Sequence, residues 1–497
     1  MFARKYMVKV LAMILSSVLS FASLMVMTRY VGSEYGIMMW GFSFVAAFNA
    51  VSDLGFSSAH IREISSGEDQ DRCITTFVII KLVLTAVAAV AVLSTLPIQG
   101  FMGAEYTQEM KIIIVSFVVY YVIFNLTGIM TWTYMARQEV GKDSAVVLTE
   151  SAVRSSFLII LAVAGVSASL LSASYIIGGI SALAVCLLLF RNVGYRPKGP
   201  LIVRKYITFA APLAVACMLM AVVGSLDRVM IGLWYGNDDV GLYSAAMGVI
   251  YAMTTIGTVV GGLLLSHFSK LNSESKTDAI RNTFWTVQRY TMMLILPATA
   301  FLVVFGVDVS IVLFGSGFSG TGGILSVLVV SVPIVIILNT NVQLLNSFNK
   351  TYVYGKIAVI YSVITILLFM LTIPESLLGV KMLGMGTIGA ALSVAVGNVI
   401  FLIMVRMASA RITGIAIYPK IYIHAAALAA SLAVAYLLSR YVPIDNIIIG
   451  FFALLLTVAA YFSVLIVTRE FSRNDIRFMR EVLDIRDAQP GKEDNKK

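Results

Sequence analysis

Long apolar runs separated by short polar gaps dominate this chain. Fourteen runs fall near residues 6–28, 37–57, 74–96, 112–135, 144–166, 170–190, 206–234, 239–266, 283–305, 322–346, 352–373, 385–407, 418–439 and 446–467. Each holds about 20 or more residues, enough to cross about 30 Å of hydrocarbon as a helix. The runs lack the two-residue alternation of barrel strands. In lipid the backbone must then satisfy itself as helix. The pattern predicts an all-α integral membrane protein with about 14 transmembrane helices.

The gaps add direction. The chain carries 36 Lys and Arg residues. Of these, 28 lie in the N-terminal segment, the even-numbered gaps with their helix edges, and the C-terminal tail. Four lie in or beside the odd-numbered gaps: Arg29, Lys111, Lys381 and Arg440. Basic loops stay cytoplasmic. The bias therefore predicts a multi-pass cell-membrane protein with both termini in the cytoplasm. The remaining four, Lys81, Arg154, Arg228 and Arg289, fall inside the runs, where a charge is costly unless it is paired or faces water.

Composition agrees: 59% hydrophobic residues, 12% charged residues and a mean hydropathy of +0.92 exclude a soluble globular domain. The net charge of +10 sits in the loops, where it orients helices against anionic lipid, so no nucleic acid partner is expected. Cys73, Cys186 and Cys217 have neither metal spacing nor a pairing pattern and read as small apolar fillers. The three histidines, His60, His267 and His424, do not cluster with acids, so no metal site is expected. The first run is too long for a signal-peptide core and lacks a small-residue cleavage site, which makes it a retained helix.

The widest basic break, Arg191 to Lys205, carries two prolines and reads as a linker between two bundles. A parallel repeat supports this division. Run one leaves through Arg29-Tyr-Val-Gly-Ser-Glu-Tyr-Gly36 and run seven through Leu233-Trp-Tyr-Gly-Asn-Asp-Asp-Val-Gly-Leu-Tyr243. The expected organisation is a first lobe over 1–191, a linker over 192–205, a second lobe over 206–408, two appended helices over 409–468 and a tail over 469–497. In the tail, Ile476, Met479 and Leu483 share a helical face beside Arg473, Arg477 and Arg480, the pattern of an amphipathic surface helix. The segment 306–321 reads as a short interfacial helix followed by a Gly-rich turn. Pro212 and Pro297 are expected to kink their helices, and Gly257-Thr-Val-Val-Gly261 is a small-residue packing motif.

Several of these stretches carry a family resemblance. Thr28-Arg-Tyr-Val-Gly-Ser-Glu-Tyr-Gly36, Ser52-Asp-Leu-Gly-Phe-Ser-Ser-Ala-His-Ile-Arg62, Ser225-Leu-Asp-Arg-Val-Met-Ile-Gly232, Val240-Gly-Leu-Tyr-Ser-Ala-Ala246 and Leu345-Asn-Ser-Phe-Asn-Lys350 follow one another in order. Together they resemble the polysaccharide transporter branch of the multidrug/oligosaccharidyl-lipid/polysaccharide (MOP) exporter superfamily, which includes O-antigen flippases. The resemblance implies two six-helix lobes around a central cavity, as in the multidrug (MATE-like) exporters, with two C-terminal helices appended. It implies a flippase for a lipid-linked oligosaccharide on a polyprenyl phosphate or diphosphate, working by alternating access. Membrane lipids and glycosyltransferases of the same pathway are the expected partners.

Under that resemblance Arg154, Lys81, Arg289, Arg228 and Arg29 are candidate contacts for the carrier phosphate, Arg offering two parallel hydrogen bonds and Lys a point charge. Each has a plainer reading. Lys81 and Arg289 can snorkel to the headgroups. Arg154 follows Glu150 by four residues, a spacing that lets the pair neutralise itself; the other reading makes Glu150 a proton-linked partner. Asp227 and Arg228 point about 100° apart on one helix and need other partners. Asp53 is either a gating acid near Arg62 or a solvated helix end. Arg29 is either a contact to phosphate or Glu34, or an interfacial anchor. Asn125, Asn339, Asn341, Gln343 and Asn398 either hydrogen-bond sugars or bridge helices.

Two other functions compete. A cation-coupled small-molecule or multidrug exporter on the same fold typically carries an acid in helix one, and Tyr6 to Thr28 has none. That weakens H+ or Na+ coupling at that site without removing it, and no other cofactor is expected. An enzyme acting on the same lipid carrier needs carboxylates or a metal at a membrane face, and the outer loops here are short; no enzymatic activity is expected.

Overall fold

The computed structural model describes residues 2–102, 106–197, 199–444, 446–472 and 475. The first half comprises α1 Phe2–Tyr30, α2 Ser33–Asn49 with a 3-10 turn at Ala50–Ser52, α3 Phe56–Ser65, α4 Gln70–Met102, α5 Gln108–Ala136, α6 Val140–Val163 and α7 Ala168–Phe190. The second comprises α8 Val203–Trp234, α9 Asn237–Ser273, α10 Thr277–Phe314, α11 Thr321–Leu328, α12 Ser331–Ser347 and α13 Thr351–Thr372. A two-residue hairpin, β1 Ser376–Leu377 and β2 Val380–Lys381, leads to α14 Gly386–Thr413. Then follow α15 Ile421–Tyr441 and α16 Ile447–Val467. Fourteen helical spans are long and apolar enough to cross a membrane, so the fold is all-α and multi-pass, as the apolar runs require.

The halves pack in the same order. In the first, α1 lies on α6, α6 on α7 and α5 on α7; in the second, α8 lies on α13, α13 on α14 and α12 on α14. This is the parallel repeat seen as helix pairing. The α15–α16 pair packs against α10, outside both lobes.

Four local expectations change. The run over 37–57 is not one helix. It stops at Ser52, turns at Asp53-Leu54-Gly55 and restarts as α3. Leu54 (φ 46°) and Gly55 (φ 84°) are left-handed, a conformation glycine adopts without a Cβ penalty. Asp53 then caps α3, its Oδ1 accepting from the Ser57 N–H at 3.3 Å and from the Ser57 hydroxyl. The segment 306–321 is not an interfacial helix: α10 continues to Phe314, so most of it is the end of a spanning helix. The break inside α10 lies at Phe305 (φ −98°, ψ 19°) rather than at Pro297, and α8 runs through Pro212. Val203–Lys205, expected in the linker, already forms the first turn of α8. Of the expected tail helix, all but Phe471, Ser472 and Asp475 lies outside the described residues.

Candidate functional site

Helices α1, α4, α6 and α8 start at the end of the bundle that carries the basic loops, called here the basic end. At the opposite end the lobes interlock through glycine. A Cβ placed on Gly36, in the first turn of α2, would lie 1.9 Å from the Asn237 carbonyl oxygen at the start of α9. One on Gly232 of α8 would lie 2.0 Å from the Trp40 ring, and one on Gly248 of α9 would lie 2.2 Å from Leu24 of α1. Gly36 and Gly241, the paired glycines of the sequence repeat, thus meet across the seam. Trp40, Tyr243, Phe314 and Phe318 continue one buried core across it.

Toward the basic end the lobes part. A cavity of about 820 Å³ reaches from Lys9, Asp143 and Met135 at the helix ends inward to Lys81, Glu150 and Ser225. The first lobe supplies most of its wall; Cys217, Ala221 and Ser225 of α8 close it. Tyr120, Tyr121, Phe124 and Trp132 form an aromatic side.

The helix break builds the polar side. Lys81 Nζ on α4 donates to the Ser52 carbonyl at 3.1 Å, to Asp53 Oδ1 at 3.2 Å and to Asn125 Oδ1 at 3.5 Å. Breaking α2 frees that carbonyl, and a cation at a helix C-terminus is favourable. Lys81 is buried (4% exposed) while Asp53 is open to the cavity (40%), so Lys81 does not snorkel. Asp53 pairs with Lys81 rather than Arg62, which instead lies 4.6 Å from the Phe209 ring centre. Asn125 also takes the Ser52 hydroxyl at 3.1 Å and donates to Asn49 Oδ1 at 2.8 Å. It bridges helices and lines the cavity at once.

Other expected site residues are already engaged. Arg154 donates to Glu150 at 2.7 Å, to the Ser20 hydroxyl at 3.2 Å, and packs 5.1 Å from the Tyr175 ring centre. Glu150 faces the cavity; Arg154 stands behind it. Arg228 donates to the Gly224 carbonyl at 3.3 Å and to the Tyr251 hydroxyl at 3.1 Å. Asp227 accepts from the Tyr243 hydroxyl at 2.9 Å and the Arg228 N–H at 2.7 Å, a bond between α8 and α9.

Two cations lie away from the cavity. Arg29 donates to the carbonyls of Leu313 (3.1 Å) and Val312, capping the end of α10. Glu34 does not meet Arg29; it accepts from the Ala168 N–H at 2.7 Å, at the start of α7. Arg289 on α10 is held at 2.8 Å by both Glu470 and Asp475, beyond α16, with Lys420 2.9 Å from Glu470. Burial works to raise both carboxyls. Hydrogen bonds from Tyr418 and Lys420 and the Arg289 charge hold Glu470 below its usual value, and those from Arg289, Ser472 and Tyr290 hold Asp475 well below.

The amides of the second lobe bridge or pack. Asn341 accepts from Ser409 at 2.9 Å and Arg406 at 3.3 Å. Asn398 accepts from Tyr361 at 3.4 Å. A Cβ placed on Gly261 would lie 3.6 Å from Gln343. Asn339 is half-buried outside the cavity. His60 bridges Thr133 and Tyr206 at 2.9 Å each, and burial pushes its pKa down to about 3.

Sequence reasoning missed Lys9, Asp143, Asn49 and Trp132. Lys9 and Asp143 pair at 3.4 Å across α1 and α6. Lys9, in the basic N-terminal segment of the sequence, lies two turns into α1. No group of three or more potential metal ligands forms among the described residues.

A family model described as a polysaccharide biosynthesis protein matches residues 26–322, more than half of the chain. No curated protein matches. Among solved structures, the fold is similar to a lipid II flippase, MurJ, in an inward closed conformation: TM-score 0.70 at 13% identity, covering 95% of this chain and 99% of that one. It is also similar to an inward-facing multidrug resistance MATE family transporter of the MOP superfamily, with TM-score 0.58 at 14% identity over 80% of this chain and 96% of that one. A MOP superfamily transporter from Pyrococcus furiosus gives TM-score 0.57 at 13% identity, over 82% and 95%.

Proposed function

This chain belongs to the polysaccharide biosynthesis protein family, and from that premise we propose that it is a flippase. It carries a lipid-linked oligosaccharide from the cytoplasmic to the outer leaflet of the cell membrane by alternating access. The observation that carries this reading is the one-sided cavity: open toward the basic end, sealed by interlocked glycines at the other. Such a shape is one half of an alternating cycle, with the two lobes rocking about a central site. The basic end faces the cytoplasm.

In this reading the glycan enters the cavity while the polyprenyl tail stays in lipid, and the chain does no chemistry on it. Asp53, held in place by the buried Lys81, is the polar contact at the cavity's inner end. Arg154 holds Glu150 in the wall. Asp227 and Arg228 hold α8 against α9 and couple its tilt to the second lobe. The carrier phosphate, single or double, rests near Lys9 and the basic mouth, and glycosyltransferases that build the glycan deliver it there. A cation-coupled exporter is the weaker reading, because α1 carries no acid.

Depletion in the native host, followed by separate measurement of lipid-linked glycan on each leaflet, tests the proposal. Accumulation on the inner leaflet is the expected result; an unchanged distribution overturns it. Cysteine labelling at Ser167 from outside and at Ser273 from inside tests the orientation, and the reverse pattern overturns that.

A further inference from the structure

The cavity's charges are sorted by depth. Lys9 lies roughly 10 Å along α1 from the basic end and Asp143 roughly 5 Å along α6, whereas Lys81 and Glu150 lie roughly 15 Å in, at 1.5 Å per residue. In the outer pair the cation is the exposed partner: Lys9 is 28% exposed and Asp143 8%. In the inner pair the order reverses, with Asp53 open and Lys81 withdrawn. Glu150 repeats the inner arrangement, since it lines the cavity and Arg154 does not. The lining therefore carries two cations, Lys9 and Lys81, against three acids, Asp53, Asp143 and Glu150.

The wall also spends its donors inward. The Lys81 ammonium, the Ser52 hydroxyl and an Asn125 amide N–H all point to oxygens of the wall itself. The charged groups left facing a ligand at depth are the Asp53 and Glu150 carboxylates, which accept and cannot donate, beside the neutral Trp132 N–H and the Tyr120 and Tyr121 hydroxyls. The faces of Tyr120, Tyr121, Phe124 and Trp132 add negative quadrupole, which favours C–H faces and ammonium groups.

We propose that this chamber selects an uncharged or amino-bearing glycan and rejects acidic sugars. The inference rests on the glycan reading of the cavity given above. Sugar hydroxyls and ammonium groups donate to the carboxylate lone pairs of Asp53 and Glu150 that Lys81 and Arg154 leave open. A uronate carboxylate supplies none and meets the cavity-facing carboxylates of Asp53 and Glu150, so selection works by repulsion as much as by attraction. The anionic carrier phosphate stays at the mouth, beside Lys9.

The test is calorimetric binding of three tetrasaccharides to the full chain in nanodiscs: glucosamine tetramer, maltotetraose and galacturonate tetramer. The expected result is that glucosamine tetramer binds at least about tenfold more tightly than galacturonate tetramer, one charge interaction at roughly 10 Å in a protein-like medium. Maltotetraose falls between them. Glu150→Gln and, separately, the near-isosteric Asp53→Asn each narrow that gap, with circular dichroism confirming the fold. Galacturonate tetramer binding as tightly as glucosamine tetramer, or a gap unchanged in both variants, overturns the inference alone. Binding of none of the three removes the glycan reading, and the inference with it.

Discussion

At the end away from the basic loops, the lobes meet mainly through close packing at glycine, Gly36 on Asn237, Gly232 on Trp40 and Gly248 on Leu24, with Arg29 of α1 donating to the carbonyls at the end of α10. At the basic end they part around the cavity and meet along α3, α4 and α8, where Tyr206 packs with Ala59, Phe77 and Ile80, while most charges there line the wall. Nearly all of those pairs close within one lobe, as Lys9–Asp143, Lys81–Asp53 and Arg154–Glu150 do. Among the described residues, the ion pair that crosses between lobes is Lys205–Glu68, beside the His60–Tyr206 bond, where the linker enters α8. The contrast has a physical basis. A seal made mostly of close packing leaves few charges to rehydrate when the lobes separate. A seal made of ion pairs would have to rehydrate each charge on opening. Most of the interlobe contact is close packing, Arg29 and Lys205 being charged exceptions, and the cavity charges pair within the first lobe.

The largest effect is expected at the helix break. Asp53→Ala leaves Lys81 buried without its carboxylate, a loss of about 3–5 kcal/mol for an unpaired buried charge, with the α3 cap lost as well. Thermal unfolding in detergent checks it, and a stability unchanged from the parent would show that the pair is not part of the wall. Gly36→Ala tests the other end. The added methyl meets a backbone carbonyl, and overpacking costs about 1–3 kcal/mol. The expected outcome is a shift of population away from the sealed state, read as a longer spin-label distance across the far end. An unmoved distribution would show that glycine is not what closes it.

Lys81→Met should cost less than Asp53→Ala, about 1 kcal/mol, because the carboxylate left behind is 40% exposed and water screens it. Equal losses would contradict the depth ordering of the pair. Arg29→Ala removes the cap from the end of α10 and should cost about 0.3–1 kcal/mol, measured by the same unfolding.

The smallest effect concerns pH. Glu470 and Asp475 have depressed pKa values, so their contribution to docking on Arg289 is present above the ordinary carboxylate range. It is lost only as pH falls through the lowered values. Protection of the segment near Glu470 from limited proteolysis should therefore stay flat from about pH 8 to pH 5 and fall only in stronger acid. Loss of protection near neutrality would mean that the acids are not held as the geometry shows.

The fourteen spans were legible in the sequence because each is a local property: a run of apolar residues long enough to satisfy its own backbone in lipid. The break at Asp53-Leu54-Gly55 was legible in principle, since an acid followed by a glycine is turn chemistry, but the apolar residues on both sides masked it. Arg154–Glu150 was readable because four residues make one helical turn. Arg289 was not. Its depth suggested a cavity or a snorkelling stem, and its partners lie about 180 residues later, past the last span.

What the sequence determined by itself was therefore the list of helices, their alternating direction and the residues that needed a partner. Which partner each one found was decided by tertiary structure. Lys81 reaches Asp53, Lys9 reaches Asp143 and Gly36 reaches Asn237 only when helices distant in the chain lie side by side. Ion pairs and glycine contacts are short-ranged, so a displacement of a few ångströms between helices makes or removes them, while the helices themselves persist.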